Sequence, residues 1–204
     1  QTDASKLWLK SWYKFGVKGN KLKVVILAGG FGTRLSEETK KIPKPLVRIG
    51  EFPIIWHIMK YYSSYGHNDF ILLTGYKSDL IIDYFVNTNL NLKKNSVVYK
   101  NNIFKLNYQS YNKDTWNINF LDTGQNTMTG GRILRAKNLI KNESFFITYG
   151  DGLSNINLDD LLTFHNQKNK VATVSVVNTP ERFGVINFDN KGIVNSFNEK
   201  ITKK

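Results

Sequence analysis

Three clusters in this sequence carry the residue types needed to handle a phosphorylated ligand. The densest runs Leu27-Ala28-Gly29-Gly30-Phe31-Gly32-Thr33-Arg34-Leu35 and is followed by Pro43-Lys44-Pro45. Glycines directly after an apolar run let the backbone take φ angles that other residues avoid. Main-chain N–H groups can then come close to phosphate oxygens or the edge of a base. Arg34 and Lys44 add a forked cation and a point charge on either side of a short segment whose prolines favour extended backbone. The same glycines would serve a tight strand-to-helix turn with nothing bound, and a lone Arg or Lys is ordinarily a solvated charge. The chemical reading therefore rests on the combination. Two fingerprints are excluded. A G-x-G-x-x-G pattern starting at Gly30 would need a small residue where Leu35 stands, and no G-x-x-x-x-G-K-[ST] string occurs.

The second cluster, Thr127-Met128-Thr129-Gly130-Gly131-Arg132, places small residues and a guanidinium at an expected helix start, where free N–H groups favour anions. It reads equally well as a cap with glycines for close packing. The third, Tyr149-Gly150-Asp151-Gly152, follows an apolar run. An aspartate between glycines at a strand's carboxyl end can offer oxygens to Mg²⁺, which takes one or two carboxylates plus phosphate oxygens and water. Aspartate is also a common turn residue. Lys200, after Glu199, is either a further phosphate contact or a solvated charge near the chain end. His57, His67 and His165 lie far apart without metal-ligand spacing, and no Ser/His/Asp arrangement is present. That absence suits a phosphoryl-type transfer. A sugar phosphate, with a second pKa of about 6, is already ionised at neutral pH and needs no general base. Its difficulty is the approach of one anion to another, which positioning and cations relieve.

Positioning these clusters falls to alternating strand and helix signals that begin at Lys23 and predict a βαβ sheet with crossover helices. Val24–Ala28, Phe70–Thr74, Ser96–Tyr99, Trp116–Asp122, Phe145–Tyr149 and Val171–Val177 read as strands. Pro53 opens a helix with Ile54, Ile55, Ile58, Met59 and Tyr62 on one face, and Asp79–Val86, Ile133–Ile140 and Leu158–His165 also read as helical. Val185–Phe188 and Ile193–Phe197 form a predicted hairpin around Asp189-Asn190-Lys191-Gly192. No internal repeat or linker interrupts residues 23–200.

At 204 residues the chain suits one α/β domain, expected over 23–204, behind a basic leader at 1–22. Lys6, Lys10, Lys14 and Lys18 recur every fourth position beside Trp8, Trp12 and Phe15. That spacing permits a short amphipathic helix for a membrane surface or a partner, although Gly16 and Gly19 limit it and a processing remnant reads as well. Of the formal charge of +13, residues 1–23 hold +5 and residues 198–204 hold +2, so over half of the excess lies at the ends. A basic balance fixes the sign of a partner and not its identity. An RNA-binding domain is disfavoured because aromatic residues are not gathered on a basic strand face. The absence of cysteine excludes a disulfide framework and points to a reducing compartment, with the cytoplasm expected. No apolar run approaches the roughly 18 residues of a membrane span.

Taken together, Gly29–Leu35 with Pro43-Lys44-Pro45 resembles the signature of sugar-1-phosphate nucleotidylyltransferases. Ser36-Glu37-Glu38-Thr39, Ile55–Lys60, Asp122-Thr123-Gly124, Met128–Arg132, Tyr149–Gly152 and Arg182-Phe183-Gly184 are similar to those of the cytidylyl-transferring branch, acting on glucose 1-phosphate. The resemblance runs from about Lys23 to Lys200. It implies an α/β, Rossmann-like nucleotide-diphospho-sugar transferase fold, a mixed, mostly parallel sheet with flanking helices. It also implies the reaction of CTP with glucose 1-phosphate, with Mg²⁺, to give CDP-glucose and pyrophosphate for bacterial surface deoxysugars. By position it assigns Leu27, Ala28, Gly29, Gly30, Phe31, Gly32, Thr33 and Arg34 to the nucleotide and Lys44 to its phosphates, with Arg34 and Lys44 catalytic. Thr127, Arg132 and Gly150 complete the nucleotide pocket, Asp151 holds the metal and Lys200 meets the sugar phosphate. Ile201 stands where the family has proline after that lysine. Family members continue for several dozen residues that supply part of the sugar pocket, a second metal aspartate and subunit contacts. CTP binding with Mg²⁺ but weak or absent turnover is therefore expected of this chain, with a homo-oligomer where that part is present. The alternatives are a catalytically inactive nucleotide-binding module and a transferase using another nucleotide.

Overall fold

The computed structural model describes residues 21–30, 42–90, 97–100, 102–110, 114–177 and 185–198. The expected leader helix, and Phe31 to Arg34, lie outside these residues. The described chain divides into two compact units, residues 1–161 and 162–204.

The first unit is built on a six-stranded sheet. Its strands are β1 (Lys23–Leu27), β4 (Asp69–Thr74), β5 (Val97–Lys100), β6 (Ile103–Gln109), β7 (Thr115–Asp122) and β8 (Phe145–Tyr149), in the order β5-β6-β7-β4-β1-β8. β1 pairs in parallel with β4 and β8, and β4 with β7, whereas β6 runs antiparallel to both β5 and β7. The mixed, mostly parallel sheet expected from the sequence is therefore present. A short ribbon, β2 (Arg48–Ile49) and β3 (Phe52–Pro53), precedes the first helix.

That helix, α1 (Ile54–Ser64), starts where Pro53 fixes extended backbone, and no Gly or Pro interrupts it before Gly66, at φ 87°. Ile55, Ile58 and Met59 are buried, as their spacing requires, against one face of the sheet. α2 (Ser78–Asn87) covers the same face, with Phe85 set against Phe120 of β7 and Tyr108 of β6 at ring separations of 5.7 and 5.4 Å. Trp56 and Trp116 meet there at 6.0 Å. On the opposite face Val25, Ile71, Leu73 and Leu121 pack with Ala136 and Ile140. The helix expected over 133–140 is two short ones, α3 (Thr129–Arg135) and α4 (Lys137–Ile140), because the chain turns at Ala136.

One strand is missing from the sequence reading and one expected strand is absent from the structure. β6 was not anticipated, although Leu106 and Tyr108 alternate with exposed neighbours as a half-buried strand should. Val171–Val177 forms no strand. Val174 and Val177 are 65% and 74% exposed, and with no partner strand among the described residues β propensity alone does not hold an extended ladder.

The helix predicted from Leu158 runs to Lys168 as α5. In the second unit β9 (Val185–Phe188) and β10 (Val194–Asn198) form the expected antiparallel hairpin. Asp189 Oδ1 accepts from the N–H groups of Lys191 and Ile193, and Gly192 takes φ 76°. Lys168 Nζ donates to the Lys191 carbonyl at 2.8 Å, tying the hairpin turn to the end of α5.

Candidate functional site

In a largely parallel sheet the ligand site is expected beyond the carboxyl ends of the strands. Here the backbone ladder continues past those ends. Ala28 N–H donates to the Leu73 carbonyl at 3.0 Å, Gly150 N–H to Leu27 at 2.9 Å, and Thr123 N–H to Thr74 at 3.0 Å. A cavity of about 410 Å³ opens over them. One wall is the turn after β1, Leu27 to Gly30, and another is the β7–α3 loop, Gln125 to Thr129. Lys44 and Pro45 reach it from one side, and Tyr149, Gly150 and Asp151 from the end of β8. Gly150 is required by proximity, since a Cβ there would lie 3.0 Å from Pro45 Cγ and 3.2 Å from the Leu27 carbonyl oxygen.

Lys44 lies at the start of a 3-10 turn, Lys44–Leu46, set by Pro43 and Pro45, and not in a fully extended segment. Its Nζ donates to Asp151 Oδ2. The two groups singled out separately for phosphate and for metal are thus an ion pair, their side chains 29% and 32% exposed.

Arg132, on α3, is only 5% exposed although it carries a full charge. Its Nη1 donates to the Thr74 carbonyl at 2.9 Å and to the Thr123 hydroxyl, and its Nη2 to the carbonyls of Gly29 at 2.8 Å and Gln125 at 3.1 Å. Burial pushes its pKa below the usual arginine value; Asp122 opposes this and Arg135 adds to it. One turn further along the helix, Arg135 donates to the Thr123 carbonyl and the Thr127 hydroxyl.

Leu27, Ala28, Gly29, Gly30, Lys44, Thr127, Arg132, Gly150 and Asp151 therefore line one cavity, drawn from four separate stretches of chain. Phe31, Gly32, Thr33, Arg34 and Lys200 lie outside the described residues. Pro45, Met128, Thr129 and Tyr149, which belong to the clusters quoted above without a role of their own, also line the cavity, as do Gln125 and Asn126, which stand outside those clusters. Gln125 and Asn126 had a signal, being a polar pair between a strand and a helix start. Asp122 Oδ1 accepts from Gly124 N–H at 2.8 Å and turns the chain towards them.

Among the described residues no three His, Cys, Asp or Glu groups converge as a metal cage. Asp151 is a single hard oxygen donor on the cavity wall. That donor set fits Mg²⁺ only when a ligand's phosphates and water supply the remaining oxygens, as is usual for this ion.

Residues 23–203 match the family model described as nucleotidyl transferase. Over 88% of the chain and 69% of its own length, a relative in Bacillus subtilis (strain 168), named probable glucose-1-phosphate cytidylyltransferase, is 46% identical. Glucose-1-phosphate cytidylyltransferase of Salmonella typhi is 43% identical over the same shares. Among solved structures, HddC from Yersinia pseudotuberculosis complexed with GMP-PN superposes with a TM-score of 0.63 at 28% identity, covering 88% of this chain and 69% of that one.

Proposed function

The chain belongs to the nucleotidyl transferase family, and from that membership we propose that it transfers the cytidylyl group of CTP to glucose 1-phosphate. A phosphate oxygen of the sugar phosphate forms a bond to the α-phosphorus of CTP, the bond from that phosphorus to the β-phosphate bridging oxygen breaks, and pyrophosphate leaves with its electron pair. The product is CDP-glucose. The nucleophile is ionised at neutral pH, so no side chain has to take a proton. The protein's task is to hold two anions in line and to offset their charge.

The observation that carries this reading is the meeting of the glycine turn after β1, Lys44 and Asp151 in one cavity over the strand ends, in a chain 46% identical to a relative named probable glucose-1-phosphate cytidylyltransferase. The N–H groups of the Gly29–Gly30 turn suit phosphate oxygens or the base edge. Lys44, turned from Asp151 to the triphosphate, would lower the cost of charge at the α-phosphate. Asp151, with the nucleotide's own oxygens, would hold Mg²⁺, whose charge stabilises the departing pyrophosphate. Arg34 and Lys200 complete the set by their places in the motifs, Arg34 beside the nucleotide and Lys200 beside the sugar phosphate. On this reading residues 23–204 are the transferase domain and residues 1–22 a leader. CDP-glucose made in the cytoplasm would feed deoxysugar synthesis for a surface polysaccharide.

The test is nucleotide binding by calorimetry across CTP, UTP, dTTP and GTP with Mg²⁺, followed by pyrophosphate release with glucose 1-phosphate. CTP should bind in preference and give CDP-glucose. Failure to bind any nucleotide overturns the proposal, and binding without product in a chain extended to its relatives' length would make this a nucleotide-binding module.

A further inference from the structure

Arg135 is exposed at the end of α3, where an arginine ordinarily stays in water because ordering its long side chain costs entropy. Here it is engaged. Its Nη1 donates to the Thr123 carbonyl and to the Thr127 hydroxyl, the two ends of the loop that leads from β7 into α3. Gly124 lies between them at φ 78°, and a Cβ on it would come within 3.2 Å of Arg135 Nη1 and 3.4 Å of Thr127 Oγ1. The other branch of Thr127 is placed as well. A Cβ on Gly131, one turn before Arg135 on the same helix, would lie 2.9 Å from the Thr127 methyl carbon. Thr127 thus has its methyl against Gly131 and its hydroxyl on the guanidinium, which selects one of the three staggered side-chain wells. Thr127 lines the cavity, and Arg135 is not among the described residues that do.

We propose that Arg135 is a positioning residue of the nucleotide site, acting through Thr127. The identity of the ligand rests on the nucleotidyl-transfer reading; the bridge across the loop does not. A hydroxyl accepts twice and donates once, whereas a guanidinium only donates. The contact with Arg135 therefore takes a lone pair of Thr127 Oγ1 and leaves the hydroxyl hydrogen for an acceptor, which the oxygens of a nucleotide supply. Without Arg135 the hydroxyl is released to other wells, and the loop loses the bond that joins its ends.

The experiment is a double-mutant cycle read by calorimetry with CTP and Mg²⁺. Arg135→Met, which removes the donors and keeps the length, is made in the wild type and in Thr127→Ser and Thr127→Val proteins. It should weaken CTP binding about tenfold where residue 127 carries a hydroxyl, as threonine or serine, and by less than about twofold in Thr127→Val, which has no hydroxyl to orient. An arginine that met the nucleotide itself, or that only raised the local positive potential, would cost the same in all three backgrounds, and that result overturns the proposal. Hydrogen exchange on the ligand-free proteins should be faster at residues 124–127 in Arg135→Met than in wild type, and unchanged exchange there overturns it as well. Should wild type bind no nucleotide at all, the function reading falls and the exchange comparison alone decides whether Arg135 holds the loop.

Discussion

At the scale of single residues, Lys44 and Asp151 each have a clear expectation. In the ligand-free protein they satisfy one another, so loss of either leaves its partner unpaired at the cavity wall. Lys44→Met should lower kcat/KM for CTP by about 10²-fold, the scale of removing one positioned charge from a developing anion. It should leave the Mg²⁺ requirement in place. Asp151→Asn should do the reverse, raising the Mg²⁺ concentration at half-maximal rate while CTP affinity at saturating Mg²⁺ changes less. Steady-state titrations of metal and nucleotide separate the two, and interchangeable phenotypes would count against the assignment. The residue types at this site were legible because glycine, lysine and aspartate at strand ends carry their chemistry openly. The engagement of Arg132 was not legible. Sequence places a guanidinium near a helix start, whereas its four acceptors come from the ends of three strands and a loop brought together only by folding.

At the scale of elements, one contact fixes how the chain enters the sheet. The Leu22 N–H, just before β1, donates to His67 Nδ1 at 3.1 Å, and the imidazole lies against Phe146 at 4.9 Å. Burial holds the His67 pKa below its usual 6.5, opposed in part by Asp159. In the unfolded chain the imidazole takes up a proton as the pH drops through that value, while in the folded protein it resists. The stabilisation is therefore complete above about pH 6.5 and declines below it until the folded imidazole also protonates. Urea midpoints measured from about pH 7.5 to 5.5 should fall for wild type and stay flatter for His67→Asn, which keeps an acceptor without titrating; parallel curves would discard this role. Helices such as α1 were readable because their apolar spacing matches burial on one face. β6 was readable in principle, since Lys105 and Asn107 alternate with Leu106 and Tyr108 between the turn residues Asn101-Asn102 and Ser110, but only two of its seven residues are buried and its apolar signal is correspondingly weak. The valines at 171–177 misled because propensity describes a residue's preference, and a strand also needs a neighbour to bond to.

At the scale of the molecule, the two units differ in how they are held. In residues 1–161 aromatic and aliphatic side chains cover both faces of the sheet. In the hairpin of the second unit Phe188 and Phe197 remain 57% and 64% exposed, and a two-stranded ribbon has little stability of its own. Amides of β9 and β10 should consequently exchange by local opening, while those of β1, β4 and β7 wait for global unfolding. Exchange mass spectrometry under mild denaturant would show two separate dependences, and a single shared one would refute the distinction. The order of strands in the larger sheet has a practical corollary. β8 is its terminal member, with Ile147 and Tyr149 43% and 57% exposed and, among the described residues, no strand along its outer flank. Unpaired main-chain groups beside oily side chains recruit backbone from neighbouring molecules. Concentrated samples of this chain will drift towards oligomers and haze on storage, and a lysine in place of Ile147 is the simplest way to slow that drift.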